Sequence, residues 1–181
     1  MAIVKNISDP LIDELYEKAL KLNRMGFKIF PLHSITPEGY CTCKAVPACK
    51  NAGKHPISIG GFKNATDDVE RVKKIWGRTK QRKNIGIATG HSSKLLVIDV
   101  DPGHGGDNSI TALENKVGVL AATMIVNTGG GGQHYYYQMP EDIDIPSTQN
   151  TLGAGIDIRA NGGYVVAPGS LHVSGVRYEF R

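Results

Sequence analysis

The clearest chemical signal in the sequence is a pair of aspartates at the end of an apolar run. Leu95–Val100 is apolar apart from Asp99, and Asp101 follows two positions after Asp99, before a proline. Alternate residues of a strand point to one face, so the two carboxylates are predicted to project together, with about 6 to 7 Å between their Cα atoms. Their repulsion is relieved by a divalent cation such as Mg²⁺ or Mn²⁺, which also binds substrate phosphates. The alternative is a strand that ends in two solvated acids.

A glycine-rich turn precedes another predicted strand. Thr128 is followed by four glycines, at positions 129–132, and then by Gln133 and His134. Glycines let the backbone approach a phosphate, and the amides of such turns form anion-binding concavities. The pattern predicts phosphate binding, with His134 as a further donor; a flexible hairpin turn with a satisfied histidine is the alternative. The residues predicted to contribute are Thr128, Gly130, Gly131, Gly132 and His134.

A third carboxylate lies within the predicted strand Ile156–Arg159. Asp157 stands between two isoleucines, and Arg159 shares its face by the two-residue period. An acid among apolar residues on an inner strand is costly unless it is paired or bound to a metal. An Asp157–Arg159 surface pair is the simpler interpretation. Together with Asp99 and Asp101, Asp157 would form a site for one or two divalent ions, which suits phosphoryl or nucleotidyl transfer.

All three cysteines lie in an irregular stretch, residues 36–61. Cys41, Cys43, Cys49 and His55 form a Cys₃His set, which suits structural zinc, and zinc would order a segment with almost no apolar core. Reduced cysteines without metal are the alternative, and His33 is a substitute fourth ligand. Three lysines, Lys44, Lys50 and Lys54, are expected to surround this segment with positive charge and to bring it near the template or the initiating nucleotide.

These residues must be positioned by a mixture of helices and strands. Helices are predicted from Asp9 and Pro10 to Gly26, over residues 67–76 with Thr66 as the cap, and over about 108–117. Strands are predicted over 27–32, 85–88, 95–100, 124–127, 134–138, 156–159, 163–167 and 176–180. This order predicts an α+β or α/β domain with one mixed sheet.

Composition and charge narrow the class of protein. The 181 residues are 40% hydrophobic and 21% charged, which is typical of one globular domain without a membrane span or secretory leader, and we expect a cytoplasmic protein. The net charge of +4 hides 17 basic and 8 acidic residues in positions 1–98, against 4 and 9 in positions 99–181. The basic excess favours a nucleic acid partner, although a solvated helix face is the alternative. Candidate DNA-binding residues are Lys73, Lys74, Arg78, Lys80, Arg82 and Lys83.

Several motifs in series resemble the bifunctional DNA primase/polymerase (Prim-Pol) domain of the archaeo-eukaryotic primase superfamily. They are IDVDP, TGGGGQHYYY and GIDIRANGGYVVAPGS, preceded by GKHPISIGGFKNATDD, VKKIW and NIGIATG. The likeness covers nearly the whole chain in the expected order. One departure is Gly169 between Pro168 and Ser170, where the family often has Pro-Pro-Ser.

The resemblance implies an α+β fold with an N-terminal α/β module, a C-terminal module like an RNA-recognition motif, and an active site between them. It implies that Asp99, Asp101 and Asp157 bind catalytic metal and that His134 contacts the phosphates of the incoming nucleotide. Arg159 matches a basic position suited to the triphosphate. Similar cysteine insertions in family members favour zinc. Tyr164, Ser170 and His172 are further candidates for the border of the nucleotide pocket, with a core or hydrogen-bonding role as the alternative.

The function favoured by these residues is DNA-templated nucleotidyl transfer, as a primase, a polymerase or both, through two Mg²⁺ or Mn²⁺ ions. A non-catalytic replication-origin or single-strand DNA-binding module is one alternative, and a metal-dependent glycosyltransferase with an Asp-x-Asp site is another. Expected partners are DNA template and primer, nucleoside triphosphates, and a helicase domain in the same or another chain. We expect residues 1–181 to be one catalytic domain, cut from a longer prokaryotic, plasmid or viral replication protein.

Overall fold

The computed structural model describes residues 9–77 and 79–181, beginning with helix α1 (Pro10–Arg24). The Asp9 side chain caps this helix by accepting a hydrogen bond from the Leu11 amide at 3.1 Å. One stripe of α1 is buried, which comprises Leu11, Leu15, Ala19 and Leu22. Gly26 then adopts a φ of +87°, which ends the helical path as the sequence predicts.

The first sheet has three antiparallel strands in the order β1 (Ile29–His33), β2 (Lys83–Ala88) and β7 (Tyr164–Val166). Helix α2 (Val69–Trp76) packs against α1. Its cap is Asp68, which accepts from the Glu70 and Arg71 amides, and the prediction of Thr66 is wrong. The backbone of Thr66 is bonded to Ile29 beside β1, so Thr66 lies before the helix begins.

The second sheet has five antiparallel strands in the order β6-β3-β5-β4-β8. Its strands are β3 (Leu95–Val100), β4 (Met124–Asn127), β5 (Gln133–Gln138), β6 (Ile156–Arg159) and β8 (Glu179–Phe180). Helix α3 (Gly106–Val117) begins two residues earlier than predicted, because Gly105 turns the chain with a φ of +89°. The prediction of a single mixed sheet is therefore wrong: the described strands form two sheets, and each ladder is antiparallel.

The buried apolar side chains form one cluster that runs through both sheets. Helices α1 and α2 and the first sheet contribute most of it, and Leu95, Val97, Val126, Tyr136 and Tyr178 extend it into the second sheet. Within the described residues, none of the helices has the length and apolar character needed to cross a membrane. The mixed α/β composition expected from the sequence is confirmed.

Candidate active site between the two sheets

Three functional candidates stand side by side on one face of the second sheet. Asp99 lies on β3, directly opposite His134 of β5 on one side and Asp157 of β6 on the other. Directly opposed residues of antiparallel strands project to the same face. The pairing register therefore brings together residues that are separated by 35 and 58 positions in the sequence.

Arg159 bridges the two aspartates of this row. Its Nη2 lies 2.6 Å from Asp157 Oδ2, and its Nε lies 3.6 Å from Asp99 Oδ2. Like charges directly opposite each other destabilise a sheet, and the guanidinium reduces that repulsion. The Asp157–Arg159 pair considered from the sequence is thus present, and Arg159 also contacts Asp99. All three side chains remain 20–28% exposed.

Asp101 lies just beyond the end of β3, where the backbone turns. Its Oδ1 accepts from the Gly103 amide at 2.9 Å, and its Oδ2 lies 2.8 Å from Nδ1 of His104. Its backbone is fixed as well, because its amide donates to Gly155 and its carbonyl accepts from Gly106. Half of the Asp101 side chain remains exposed, so a carboxylate oxygen is accessible to a cation from solvent.

His134 is almost fully buried, and its environment favours the neutral ring. Burial is the main cause that lowers the pKa of His134, and the nearby Asp99 charge only partly opposes it. Its Nε2 lies 3.4 Å from Asp99 Oδ1, while Nδ1 has no hydrogen-bond partner among the described residues. A neutral imidazole has a single N–H, and the Asp99 oxygen favours placing it on Nε2.

The glycine turn uses some of its amides internally and presents others. Gly131 and Gly132 donate to the carbonyl and the hydroxyl of Thr128. Within the described part of the chain, the amides of Gly129 and Gly130 have no acceptor. Gly129 is buried and Gly130 is exposed, so the Gly130 amide can bind an anion. A Cβ on Gly129 would lie 2.1 Å from His172 Cβ, so only glycine allows this close approach.

His172 lies on a second turn that is fastened to the glycine turn. Its Nδ1 accepts from the Ser174 amide at 3.2 Å, and the Ser174 hydroxyl donates to the carbonyl of Gly129 at 2.7 Å. Because Nδ1 is an acceptor, the proton of the neutral ring belongs on Nε2. Burial, followed by the charge of Lys54, lowers the pKa of His172, which favours this neutral form.

These groups surround one open cavity of about 760 Å³. Its acidic lining residues, here called the acidic wall, are Asp99, Asp101 and Asp157. A second group of lining residues, here called the lysine wall, is Lys54, Phe62 and Tyr164. The Tyr164 hydroxyl donates to the carbonyl of Lys54 at 3.0 Å, and its ring is stacked with that of Phe62. Further predicted residues at the cavity are Thr128, Gly130, Gly132, His134, Arg159 and His172.

Two of the predicted nucleotide-binding residues lie elsewhere. Ser170 is completely buried, and its hydroxyl accepts from the Ile85 amide at 3.0 Å. It therefore stabilises β2 from within the core, which is the alternative considered for it. Gly131 lines a neighbouring cavity of about 530 Å³ on the other side of the glycine turn.

The Cys₃His set forms a compact cluster. The ligand atoms of Cys41, Cys43, Cys49 and His55 all lie within 4.8 Å of one another. His55 Nε2 is 3.5 Å from the sulfurs of both Cys41 and Cys49. Three thiolates and one imidazole in such proximity are a donor set that suits tetrahedral zinc. His33 is not in the cluster: its ring packs on His55, and its Nδ1 bonds the Thr42 hydroxyl.

Two members of the predicted basic run, Arg82 and Lys83, form structural bonds, and others are exposed. Arg82 binds the Asp9 carboxylate at 2.5 Å and the Ile35 carbonyl at 3.1 Å. Lys83 donates to the carbonyl of Ile75 at the end of α2, and burial lowers its pKa. Lys73, Lys74 and Lys80 are exposed, and Arg78 lies outside the described residues. None of the five described members lines the cavity.

A family model described as "Bifunctional DNA primase/polymerase, N-terminal" matches residues 19–181. The chain belongs to this family. The match contains both walls of the cavity and the Cys₃His cluster, and it confirms the resemblance seen in the sequence. Prim-Pol membership implies a nucleotidyltransferase with DNA and nucleotide substrates. A search of curated proteins gives no match.

Asn84 and Phe62 contribute to the site without having been singled out from the sequence. Asn84 is completely buried and bonds the carbonyls of Gly53, beside the lysine wall, and Leu171, beside His172. An asparagine inside an apolar strand was the available signal, because a buried amide requires partners. Phe62 lies in a short 3₁₀ turn at Gly61–Asn64, where the sequence has no periodicity that marks it.

Proposed function

We propose that this Prim-Pol chain catalyses DNA-templated nucleotidyl transfer at the cavity between the two sheets, as a primase, a polymerase or both. The observation that carries the proposal is the convergence of Asp99, Asp101 and Asp157 on one wall, with His134 on the adjoining strand. A template-directed polymerase needs a cation site and a triphosphate site in one cavity.

The acidic wall fits Mg²⁺ or Mn²⁺ by its donor chemistry. These ions prefer carboxylate oxygens together with substrate phosphates, and each of the three aspartates lines the cavity. When bound, two such ions supply positive charge at the attacking hydroxyl and at the leaving pyrophosphate. Arg159 holds Asp157 and Asp99 in place, so their oxygens are oriented before a cation arrives.

Neutral hydrogen-bond donors near the glycine turn are proposed to bind the triphosphate. The amide of Gly130 and the Nε2–H of His172 are available at the cavity. Neutral N–H donors bind phosphate oxygens without competing with the cations for the carboxylates. No protein nucleophile is needed, because the primer hydroxyl attacks the α-phosphorus directly.

The wider context of the proposal follows from the family. We infer that the second sheet corresponds to the RNA-recognition-motif-like module, that residues 1–181 act as one catalytic domain, and that zinc occupies the Cys₃His cluster. Lys74 and Lys80 are exposed and available to DNA phosphates, whereas the exposed Lys73 is paired with Glu70 at 2.8 Å. A helicase partner and a cytoplasmic replication role in a prokaryote, plasmid or virus complete the proposal.

A non-catalytic DNA-binding module is the second candidate. The contacts of Arg159 with Asp157 and Asp99 favour it, because they neutralise part of the acidic wall without a metal. The glycosyltransferase alternative gains no support from the family match.

Primer extension separates these functions. Asp99→Asn keeps the side-chain volume but removes a metal ligand, so we expect extension of a labelled primer with Mg²⁺ or Mn²⁺ to fall at least a hundredfold. Glu141→Gln is the matched control, since Glu141 is an exposed acid whose ion pair among residues 9–77 and 79–181 is with Lys94 on the surface. Circular dichroism verifies that both variants fold. Template binding without extension by the unmodified chain supports the non-catalytic module, and full activity of Asp99→Asn rejects the proposed metal site.

A further inference from the structure

Lys54 is the cationic residue of the cavity whose charge is not already engaged. Arg159 binds Asp157 and approaches Asp99, whereas Lys54 takes part in no ion pair among the described residues. Lys54 lines the same cavity as His134 and His172, and its side chain is exposed.

The backbone around Lys54 is held firmly although the segment is irregular. The Gly53 carbonyl accepts from Asn84 at 2.9 Å, the Lys54 carbonyl accepts from the Tyr164 hydroxyl at 3.0 Å, and the Lys54 amide donates to Asn51 at 3.0 Å. Gly53 is buried with a φ of +74°, a conformation that glycine adopts without strain. The exposed lysine side chain therefore starts from a fixed point on the lysine wall.

The next residue links this lysine to the metal cluster. His55 faces Cys41 and Cys49 through Nε2, and its carbonyl accepts from the His33 amide of β1 at 2.9 Å. Most residues from 36 to 61 are exposed or half-buried, so few apolar contacts order this segment. A zinc ion would bind the chain on both sides of Lys54 through its ligands, since the three cysteines precede Lys54 and His55 follows it.

A nucleoside triphosphate brings more negative charge than the neutral donors near the glycine turn can balance. Cations held by the acidic wall would neutralise only the phosphate oxygens that face them. An ammonium from the lysine wall suits the remaining phosphate oxygens.

We propose that Lys54 binds the triphosphate of the incoming nucleotide and that zinc in the Cys₃His cluster sets the position of Lys54, so that the zinc segment forms part of the nucleotide site. This inference rests on the proposed function, because it assigns the triphosphate to the same cavity. It makes Lys54 a substrate-binding residue and Cys41, Cys43, Cys49 and His55 positioning residues for it.

The first test measures equilibrium binding of a deoxynucleoside triphosphate and of its monophosphate by calorimetry, with Mg²⁺ and without DNA. Lys54→Ala is expected to weaken triphosphate binding about tenfold, as suits a partly exposed charge-assisted hydrogen bond, and monophosphate binding by less than about twofold. Lys54→Arg should retain most of the affinity. Lys63→Ala is the matched control, because Lys63 is an exposed lysine nearby that does not line the cavity.

The second test repeats these titrations after a zinc-selective chelator and after zinc is added back. Chelation should weaken triphosphate binding by the unmodified chain about as much as Lys54→Ala does, and it should leave Lys54→Ala almost unchanged. An equal loss in both proteins would overturn the role of zinc in positioning Lys54.

The outcomes separate this inference from the function on which it rests. The assignment of Lys54 is overturned if Lys54→Ala binds the triphosphate as tightly as the unmodified chain, or if it loses as much affinity for the monophosphate as for the triphosphate. The proposed function is tested separately, by primer extension with Asp99→Asn. If the unmodified chain binds no triphosphate in Mg²⁺, both the proposed function and this inference are overturned.

Discussion

Asn84 joins the segment that carries Lys54 to the segment that carries His172, and its replacement tests how much these bonds contribute to stability. Its Nδ2 donates to the carbonyls of Gly53 at 2.9 Å and Leu171 at 2.7 Å. Its Oδ1 accepts from the Ser34 hydroxyl at 2.8 Å and from the Leu171 amide at 3.0 Å. A side-chain amide has two donor hydrogens and two acceptor lone pairs, so every one of them is used.

Asn84→Ala leaves four groups without a partner: two carbonyls, one amide and one hydroxyl. A buried polar group that loses its partner costs roughly 1–3 kcal/mol, although water can enter the space and recover part of this. If two of the four groups stay unpaired, the free energy of unfolding falls by about 4 kcal/mol. Domains of this size are stable by only about 5–15 kcal/mol, so the effect is a large fraction of the total.

Urea unfolding followed by the fluorescence of Trp76, the single tryptophan, measures this loss. Ser34→Ala is the control, because it removes only one of the four bonds and is expected to cost about 1 kcal/mol. If Asn84→Ala lowers the free energy of unfolding by no more than Ser34→Ala, the reasoning that Asn84 joins the two segments is refuted.

Two further predictions concern stability. Burial lowers the pKa of His134 below its ordinary 6.5, so between these two pKa values the unfolded chain binds a proton that the folded chain does not. The contribution of His134 to stability is therefore complete above about pH 6.5 and decreases below it. His134→Gln should reduce the decrease of the urea midpoint between pH 7.5 and 5. An undiminished slope in that variant would contradict the neutral, buried state of His134. Arg82→Ala should lower the free energy of unfolding by about 1–2 kcal/mol and have little effect on DNA affinity, because Arg82 is bound to Asp9 and Ile35. Lys74→Ala should change the free energy of unfolding by less than about 0.5 kcal/mol and weaken DNA binding in a salt-dependent way. Melting curves and binding isotherms at two salt concentrations measure both effects; weaker DNA binding by Arg82→Ala together with lower stability of Lys74→Ala would contradict these assignments.

The acidic wall was predictable in its parts, because each aspartate stands in a local pattern that is visible in the sequence. Asp99 and Asp101 follow from strand alternation, and Asp157 follows from its place between two isoleucines. What the sequence does not contain is the register, which sets Asp99 opposite both Asp157 and His134. That register depends on which strands become neighbours, and this is decided by long-range packing.

Several side chains and strands have partners that the local sequence pattern does not reveal. Arg82 and Lys83 look like members of a basic run, but Asp9 and the end of α2 bind them. Ser170 looks like a pocket residue, but the backbone of β2 takes its hydroxyl. The prediction of a single mixed sheet is wrong for a similar reason, since β7 pairs with the distant strand β2 in the first sheet and not with β6, which precedes it in the chain.

Two short connections join the sheets side by side and give the cavity its shape. Residues 89–94 lead from β2 to β3, and residues 160–163 lead back from β6 to β7. Thr89 donates through its hydroxyl to Ala160 at 2.6 Å and through its amide to Gly163 at 3.1 Å. Gly90 passes so near Asn161 that an added Cβ would lie 2.0 Å from the Asn161 side-chain oxygen.

This joint positions part of the cavity, and side-chain hydrogen bonds position the rest. Asp157 and Arg159 lie just before the joint and Tyr164 just after it, so only the four residues 160–163 separate the acidic wall from the lysine wall along the chain. Lys54 and His172 reach the same cavity on turns, through hydrogen bonds to Asn84, Tyr164 and Ser174. Asp99 and Asp157 therefore lie on strands of the second sheet, whereas Lys54 and His172, which are proposed to hold the phosphates, lie on irregular segments that hydrogen bonds fix in place.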